Sequence, residues 1–148
     1  MNHIFFACSS LQELKISKFN TFKLTDMGNM FSKCSSLIKL IISSFNTSNA
    51  TTNGLFNKCS SLKEINLIKF NTEKVEFMSY MFYGCSSLKK INLSNFNTSK
   101  VRNMMYMFFK CSLLRTLNIV NFNTWFVTNM SGMFNGYVSL KELKNYWS

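Results

Sequence analysis

Two hydrophobic periods alternate along this chain, and together they recur on a longer one. Leu88, Ile91 and Leu93 include two apolar positions that alternate with polar Lys90, Asn92 and Ser94, the pattern of a short strand with one buried face. Further on, Val101, Met104, Met107, Phe108 and Cys111 fall at steps of three, three, one and three, which predicts one apolar stripe of a short helix. Thr98 or Ser99, just before that run, is placed to cap the helix by accepting a bond from its first free N–H groups. The same succession returns at each of Cys8, Cys34, Cys59, Cys85 and Cys111, spaced by 26, 25, 26 and 26 residues, and Tyr137 stands one further 26-residue step on. The tripeptide FNT recurs at Phe19, Phe45, Phe70, Phe96 and Phe122, and a Met-Phe or Leu-Phe pair begins at Met30, Leu55, Met81, Met107 and Met133.

A strand and a short helix with one apolar face each cannot bury those faces alone, so neighbouring repeats must supply the missing wall. The expectation is one repeat domain spanning 1–148, with repeats at approximately 8–33, 34–58, 59–84, 85–110 and 111–136 and a partial one at 137–148. Its predicted architecture is an α/β solenoid of about five 26-residue turns, with parallel strands on one face and short helices on the other. The second repeat breaks the pattern. TSNATTNGLF is one residue shorter than TSKVRNMMYMF, Thr52 or Asn53 falls where Met78 and Met104 sit, and Gly54 disfavours a helix. A short or irregular connection is expected at 48–56.

The LxxLxLxxF segment resembles the leucine-rich repeat, whose consensus is LxxLxLxxN. With FNTxxVxxMxxMFxxCSSL added, the chain is similar to the BspA-like family of surface leucine-rich repeats, including the mycoplasma-type lipoprotein repeat of undefined function. The resemblance implies a leucine-rich-repeat-like fold and a cell-surface or secreted protein that adheres to a host or neighbouring cell through a surface protein or glycan. Phe96 and its equivalents stand in place of the consensus asparagine, so a phenylalanine spine is expected there.

Composition narrows the partners. Seventeen basic residues against six acidic ones give a net charge of +11, a field that favours anionic partners. Fifteen of the cations are lysines, Arg102 and Arg115 being the arginines. No apolar run approaches the roughly 20 residues of a membrane span. Ile4–Cys8 looks like a lipidation box, but no Lys or Arg precedes it, and it aligns in register with Met30–Cys34. Repeat sequence explains it better than a signal or anchor. The five cysteines form one column without CxxC spacing or paired histidines, which predicts buried free thiols and no metal site, with disulfides between adjacent repeats as the alternative.

Outward strand positions give the first candidate site. One column reads Glu13, Lys39, Glu64, Lys90, Thr116, Glu142, whose alternating charges are expected to pair across the ladder. The next runs through Asn66, Asn92 and Asn118, whose amides are expected to bond along the stack or face a glycan or peptide. Glu64, Lys90, Asn66, Asn92 and Asn118 are therefore the candidate ligand-binding residues. Lys63, Lys89, Arg115 and Lys141 line up as an alternative basic stripe for an anionic polymer. Its lysine bias and lack of ordered aromatic platforms disfavour nucleic acid.

Eleven of the sixteen phenylalanines occupy the two repeat columns and belong to the core. Off register stand Phe77, Tyr80, Tyr83, Tyr106 and Phe109. The last four pair as equivalents on adjacent repeats and form a candidate partner patch, or else pack between neighbouring helices. The sole histidine, His3, sits at the edge of the chain and the acids are scattered, so no catalytic constellation or cofactor site is expected. The reading that results is a non-catalytic binding and adhesion module that recognises protein or glycan on its strand face. The alternatives are the basic stripe acting alone and a purely structural segment of a longer array. Met1–Phe6 carries no polar cap whereas Tyr137, Tyr146 and Trp147 break the pattern as a modest one, so end-to-end self-association is expected at the first repeat.

Overall fold

The computed structural model describes residues 3–16, 21, 23–42, 47 and 50–145. Phe19, Phe45, Tyr146 and Trp147, named above as spine and cap, lie outside them, as do residues 48 and 49 of the irregular connection. Successive repeats lie side by side as coils of one stack. On one side run the short strands β1 (Glu13–Lys15), β2 (Lys39–Ile41), β3 (Lys90–Asn92), β4 (Thr116–Asn118) and β5 (Glu142–Lys144). They pair in parallel as two sheets, β1-β2 and β3-β4-β5, with Leu14 opposite Leu40 and Ile91, Leu117 and Leu143 in one register. The alternation is obeyed: in β3 Lys90 and Asn92 are exposed and Ile91 is buried.

The expected helices do not form, and the α/β architecture is corrected accordingly. Among the described residues there is no helix. Across Tyr80–Cys85 the backbone donors alternate instead. The N–H groups of Tyr80, Phe82 and Gly84 donate to the carbonyls of Met105, Met107 and Phe109 in the next coil, at 3.0, 2.8 and 2.7 Å. Those of Met81, Tyr83 and Cys85 donate three residues back, at 3.4, 3.1 and 3.1 Å. A helix would spend every interior N–H on its own fourth preceding carbonyl; here half of them stitch coil to coil. Each repeat is thus a run of tight turns with inter-coil bonds on this side as well. Parallel bridges Asp26–Thr51 and Phe77–Asn103–Asn129 mark the same stitching.

Two backbone positions per coil make this possible. His3, Asn29, Gly54, Tyr80, Tyr106 and Gly132 form one column with φ between 53° and 63°, and Ala7, Lys33, Lys58, Gly84, Lys110 and Gly136 form another between 57° and 86°. A left-handed residue every fourth position cannot belong to a helix. Each non-glycine residue there costs roughly 1–2 kcal/mol, offset by the inter-coil bonds it aims, each worth about 0.5–1.5 kcal/mol. Lys58→Gly is therefore expected to raise stability by about 0.5–1 kcal/mol. Gly84→Ala, with φ of 68° but only ordinary contact to Lys58 at 3.6 Å, is expected to lower it by about 1 kcal/mol. Urea midpoints at constant m-value check both, and opposite signs at these equivalent positions are the outcome required.

The core is columnar. Phe5, Phe31, Phe56, Phe82, Phe108 and Phe134 stack with centroids 5.5, 5.8, 5.5, 5.6 and 6.2 Å apart. Phe70, Phe96 and Phe122 of the FNT column are buried too. Thr98 caps no helix: its hydroxyl donates to Asn123 O at 2.9 Å and accepts from the Asn123 N–H at 2.7 Å. Thr47 and Thr72 donate likewise to Asn71 and Asn97. In the short repeat the missing residue lies between Ala50 and Thr52. Thr52 is buried in the methionine column, its hydroxyl donating to Phe77 O at 3.2 Å.

All five cysteines are free thiols, and all but Cys8 are buried. Those of Cys59, Cys85 and Cys111 donate to the carbonyls of Phe31, Phe56 and Phe82, each at 3.1 Å. Ile4–Cys8 joins the stack as a repeat does, Phe5 N–H bonding Met30 O at 3.0 Å and Ala7 N–H bonding Ser32 O at 2.8 Å.

Candidate functional site

The strand ladder is interrupted where the third repeat crosses it. Glu64–Leu67 lies between β2 and β3 and pairs with neither. Among the described residues, its flanks are tied to the neighbours: Ser61 N–H to Ser35 O at 3.2 Å, Lys89 N–H to Lys63 O at 3.4 Å, and Asn95 Nδ2 to Leu67 O and Phe70 O, both at 3.0 Å. The interruption opens a groove of about 610 Å³ with Leu40, Ile65, Leu67 and Ile91 along its floor. Lys39, Glu64, Lys90, Thr116 and Lys144 line it with the amides of Asn66, Asn92 and Asn118. A smaller opening of about 220 Å³ over Leu40, Ile42, Ile68 and Phe70 adjoins it through Asn66 and Ile41. Ile68 is 59% exposed there.

Glu64, Asn66, Lys90, Asn92 and Asn118 thus converge on one cavity. Of the two arrangements expected for the asparagines, bonding along the stack is not the one observed. Their Oδ1 atoms accept the N–H two residues on, from Ile68, Ser94 and Val120 at 3.0, 3.0 and 3.2 Å. Such a local bond ends the strand and fixes the amide plane. Among the hydrogen bonds of the described residues, none uses their Nδ2 donors. The charges do not pair across the ladder either. Glu13 and Lys39 sit in register, but the ion pairs between described residues are Arg102–Glu76 at 3.4 Å and Lys144–Glu142 at 3.2 Å. Exposed long side chains gain too little from pairing to be held in one geometry. The groove therefore carries three cations, Lys39, Lys90 and Lys144, and one carboxylate, Glu64.

The basic stripe is backbone-linked as well. Lys63, Lys89, Arg115 and Lys141 are exposed, and each of the last three donates its N–H to the carbonyl of the one before, at 3.4, 2.8 and 2.9 Å. In the tight-turn runs of the coils Tyr80, Tyr83, Tyr106 and Phe109 form one part-exposed cluster, with centroids 5.0–6.4 Å apart. Sequence reading missed Trp125 and Phe126, which are 84% and 57% exposed. The signal was available, since they stand where Ser99 and Lys100 stand one repeat earlier.

The four buried thiols are poor nucleophiles. Burial pushes Cys34 up to about 11 and Cys111 up to about 12, and pushes Cys59 and Cys85 up as well. Among the described residues no group of three or more His, Cys, Asp or Glu side chains is gathered to hold a metal ion, and no helix is long and apolar enough to cross a membrane.

Stacked coils built on one sequence unit make this a repeat protein. The chain matches the family described as "Mycoplasma protein of unknown function, DUF285" over residues 1–112 and again over 51–148, and it belongs to that family. No curated protein and no solved structure matches it.

Proposed function

We propose that the chain is a non-catalytic surface binding module that takes a protein or glycan into the groove between β2 and β3. The observation behind this reading is the convergence of three oriented asparagine amides with Lys90 and Glu64 over an apolar floor, the makeup of a recognition site in which few polar groups fix orientation. The resemblance to BspA-like surface repeats favours a ligand on a host or neighbouring cell and an address at the cell surface or outside the cell. A second reading, an anionic polymer on the Lys63–Lys141 stripe, is favoured by the unbroken run of exposed cations on successive coils.

Salt separates the two. An array of matrix proteins, cell-surface glycans and nucleic acids is probed with the purified chain at low and physiological salt. The groove reading expects a few protein or glycan hits that survive salt and weaken at least about tenfold in Asn92→Ala and Lys90→Ala, the loss of roughly one hydrogen bond each. Lys89→Ala and Arg115→Ala leave those hits unchanged. Binding to every polyanion, abolished by salt and by the stripe variants, would put the stripe in its place.

A further inference from the structure

We propose that the Tyr80–Tyr83–Tyr106–Phe109 cluster, none of whose residues lines the groove, is a second binding site, and that its partner is an acidic peptide segment. Four aligned coils carry, at equivalent positions, Gly54–Asn57–Lys58, Tyr80–Tyr83–Gly84, Tyr106–Phe109–Lys110 and Gly132–Asn135–Gly136. A two-by-two square of rings is thus framed by glycine and asparagine on the coils before and after it, with Lys58 and Lys110 at its border.

Tyr80 and Tyr106 hold φ of 58° and 53°. Bulky side chains rarely adopt that region. The backbone requirement there is met elsewhere in the column by Gly54, Gly132 and Asn29, residues that adopt it readily. The fold needs a left-handed residue at this place but not a tyrosine, and strain held without structural need is a mark of function. Gly132 also clears the space that the Tyr106 ring fills, since a Cβ there would collide with the ring.

The ring geometry selects the ligand. Tyr83 and Phe109 stack face to face at 5.0 Å and 14°, while Tyr106 stands edge-on to both, at 80° and 89°. Faces turned on one another leave no flat platform for a sugar. The cluster offers instead ring edges, which carry the positive end of the quadrupole, together with tyrosyl hydroxyls and the ammonium of Lys110, 5.4 Å from the Phe109 centroid. Every one of these attracts a carboxylate. Glu76, four residues before Tyr80, is engaged by Arg102 at 3.4 Å. Tyrosine adds large rigid contact area at low entropic cost, as in protein-recognition surfaces.

The probe is a random glutamate–tyrosine copolymer, titrated into the full chain by calorimetry with polyglutamate and a neutral glycan as comparisons. The expected result is saturable binding of the copolymer, weakened at least about tenfold in Tyr80→Gly and Tyr106→Gly while their melting temperatures hold or rise. The charge reversals Lys58→Glu and Lys110→Glu, at exposed side chains that leave the fold intact, abolish it. Copolymer binding unchanged in the reversals, preference for the neutral glycan, self-association through the patch without copolymer binding, or a fall of several degrees in melting temperature in both glycine variants would each overturn the proposal.

Discussion

Replacing Phe82 with alanine is expected to lower stability by about 3–5 kcal/mol. Phe82 is fully buried, stacked on Phe56 at 5.5 Å and on Phe108 at 5.6 Å and 1°. Its carbonyl accepts both the Cys85 N–H and the Cys111 thiol, each at 3.1 Å. Truncation opens a hole that two coils face, and in a stack each coil's stability is mostly its interfaces with its neighbours. The cost should therefore depend on place as well as size. Phe134 is the same residue in the same column but only partly buried, and Phe134→Ala is expected to cost about half as much. Urea unfolding of both variants checks this. Because a weakened central interface lets the two sides unfold separately, the m-value of Phe82→Ala should fall, which Phe134→Ala should not reproduce. Equal costs for the two substitutions would contradict the nearest-neighbour account.

Which positions are buried could be read from the sequence; how the backbone carries them could not. Leu88, Ile91, Leu93, Val101, Met104, Met107, Phe108 and Cys111 are all in the core, as their spacing requires. The error lay in taking Val101, Met104, Met107, Phe108 and Cys111 for a helical stripe. Buried Leu114 and Leu117 continue it at further steps of three. From Phe108 on the step is three throughout, which drifts off a 3.6-residue period, and it runs into a strand, since Leu117 lies in β4. Single repeats hid the left-handed positions because Tyr80, Tyr106, Lys58 and Lys110 give no local sign of them. Reading down the columns, where Gly54, Gly84, Gly132 and Gly136 stand in for those residues, would have revealed both.

The candidate site divides in the same way. Glu64, Asn66, Lys90, Asn92 and Asn118 come together because alternation turned them outward and stacking brought their columns side by side. The groove that gathers them had no sequence signal. LKEINL, which stays unpaired, differs from LKKINL, which contributes β3, by one exposed residue. Pairing of so short a strand is decided by the coils on either side of it, and one repeat read alone does not contain them.

Alkaline titration should unfold the chain steeply. Burial, the largest cause in each case, raises the thiols of Cys59, Cys85 and Cys111, and ionised neighbours in the column would raise Cys59 and Cys85 further. A group whose folded pKa lies above its unfolded value contributes stability that is fully present below the unfolded pKa. That stability is lost as pH climbs toward the folded one. In the unfolded chain the thiols ionise from about pH 8.5, while Cys111 holds its proton to about pH 12. Between these limits the unfolded state has released protons that the folded state keeps. Counting only these three thiols, stability should fall by about 4 kcal/mol per pH unit. Against a typical total of about 5–15 kcal/mol, that places the midpoint at about pH 10–12 under reducing conditions. Cys85→Ala removes one of the three thiols and should make the slope shallower by about 1.4 kcal/mol per pH unit. Circular dichroism in urea at successive pH values measures both slopes. Identical slopes for the parent and Cys85→Ala would mean that the thiol column does not set the alkaline limit of this fold.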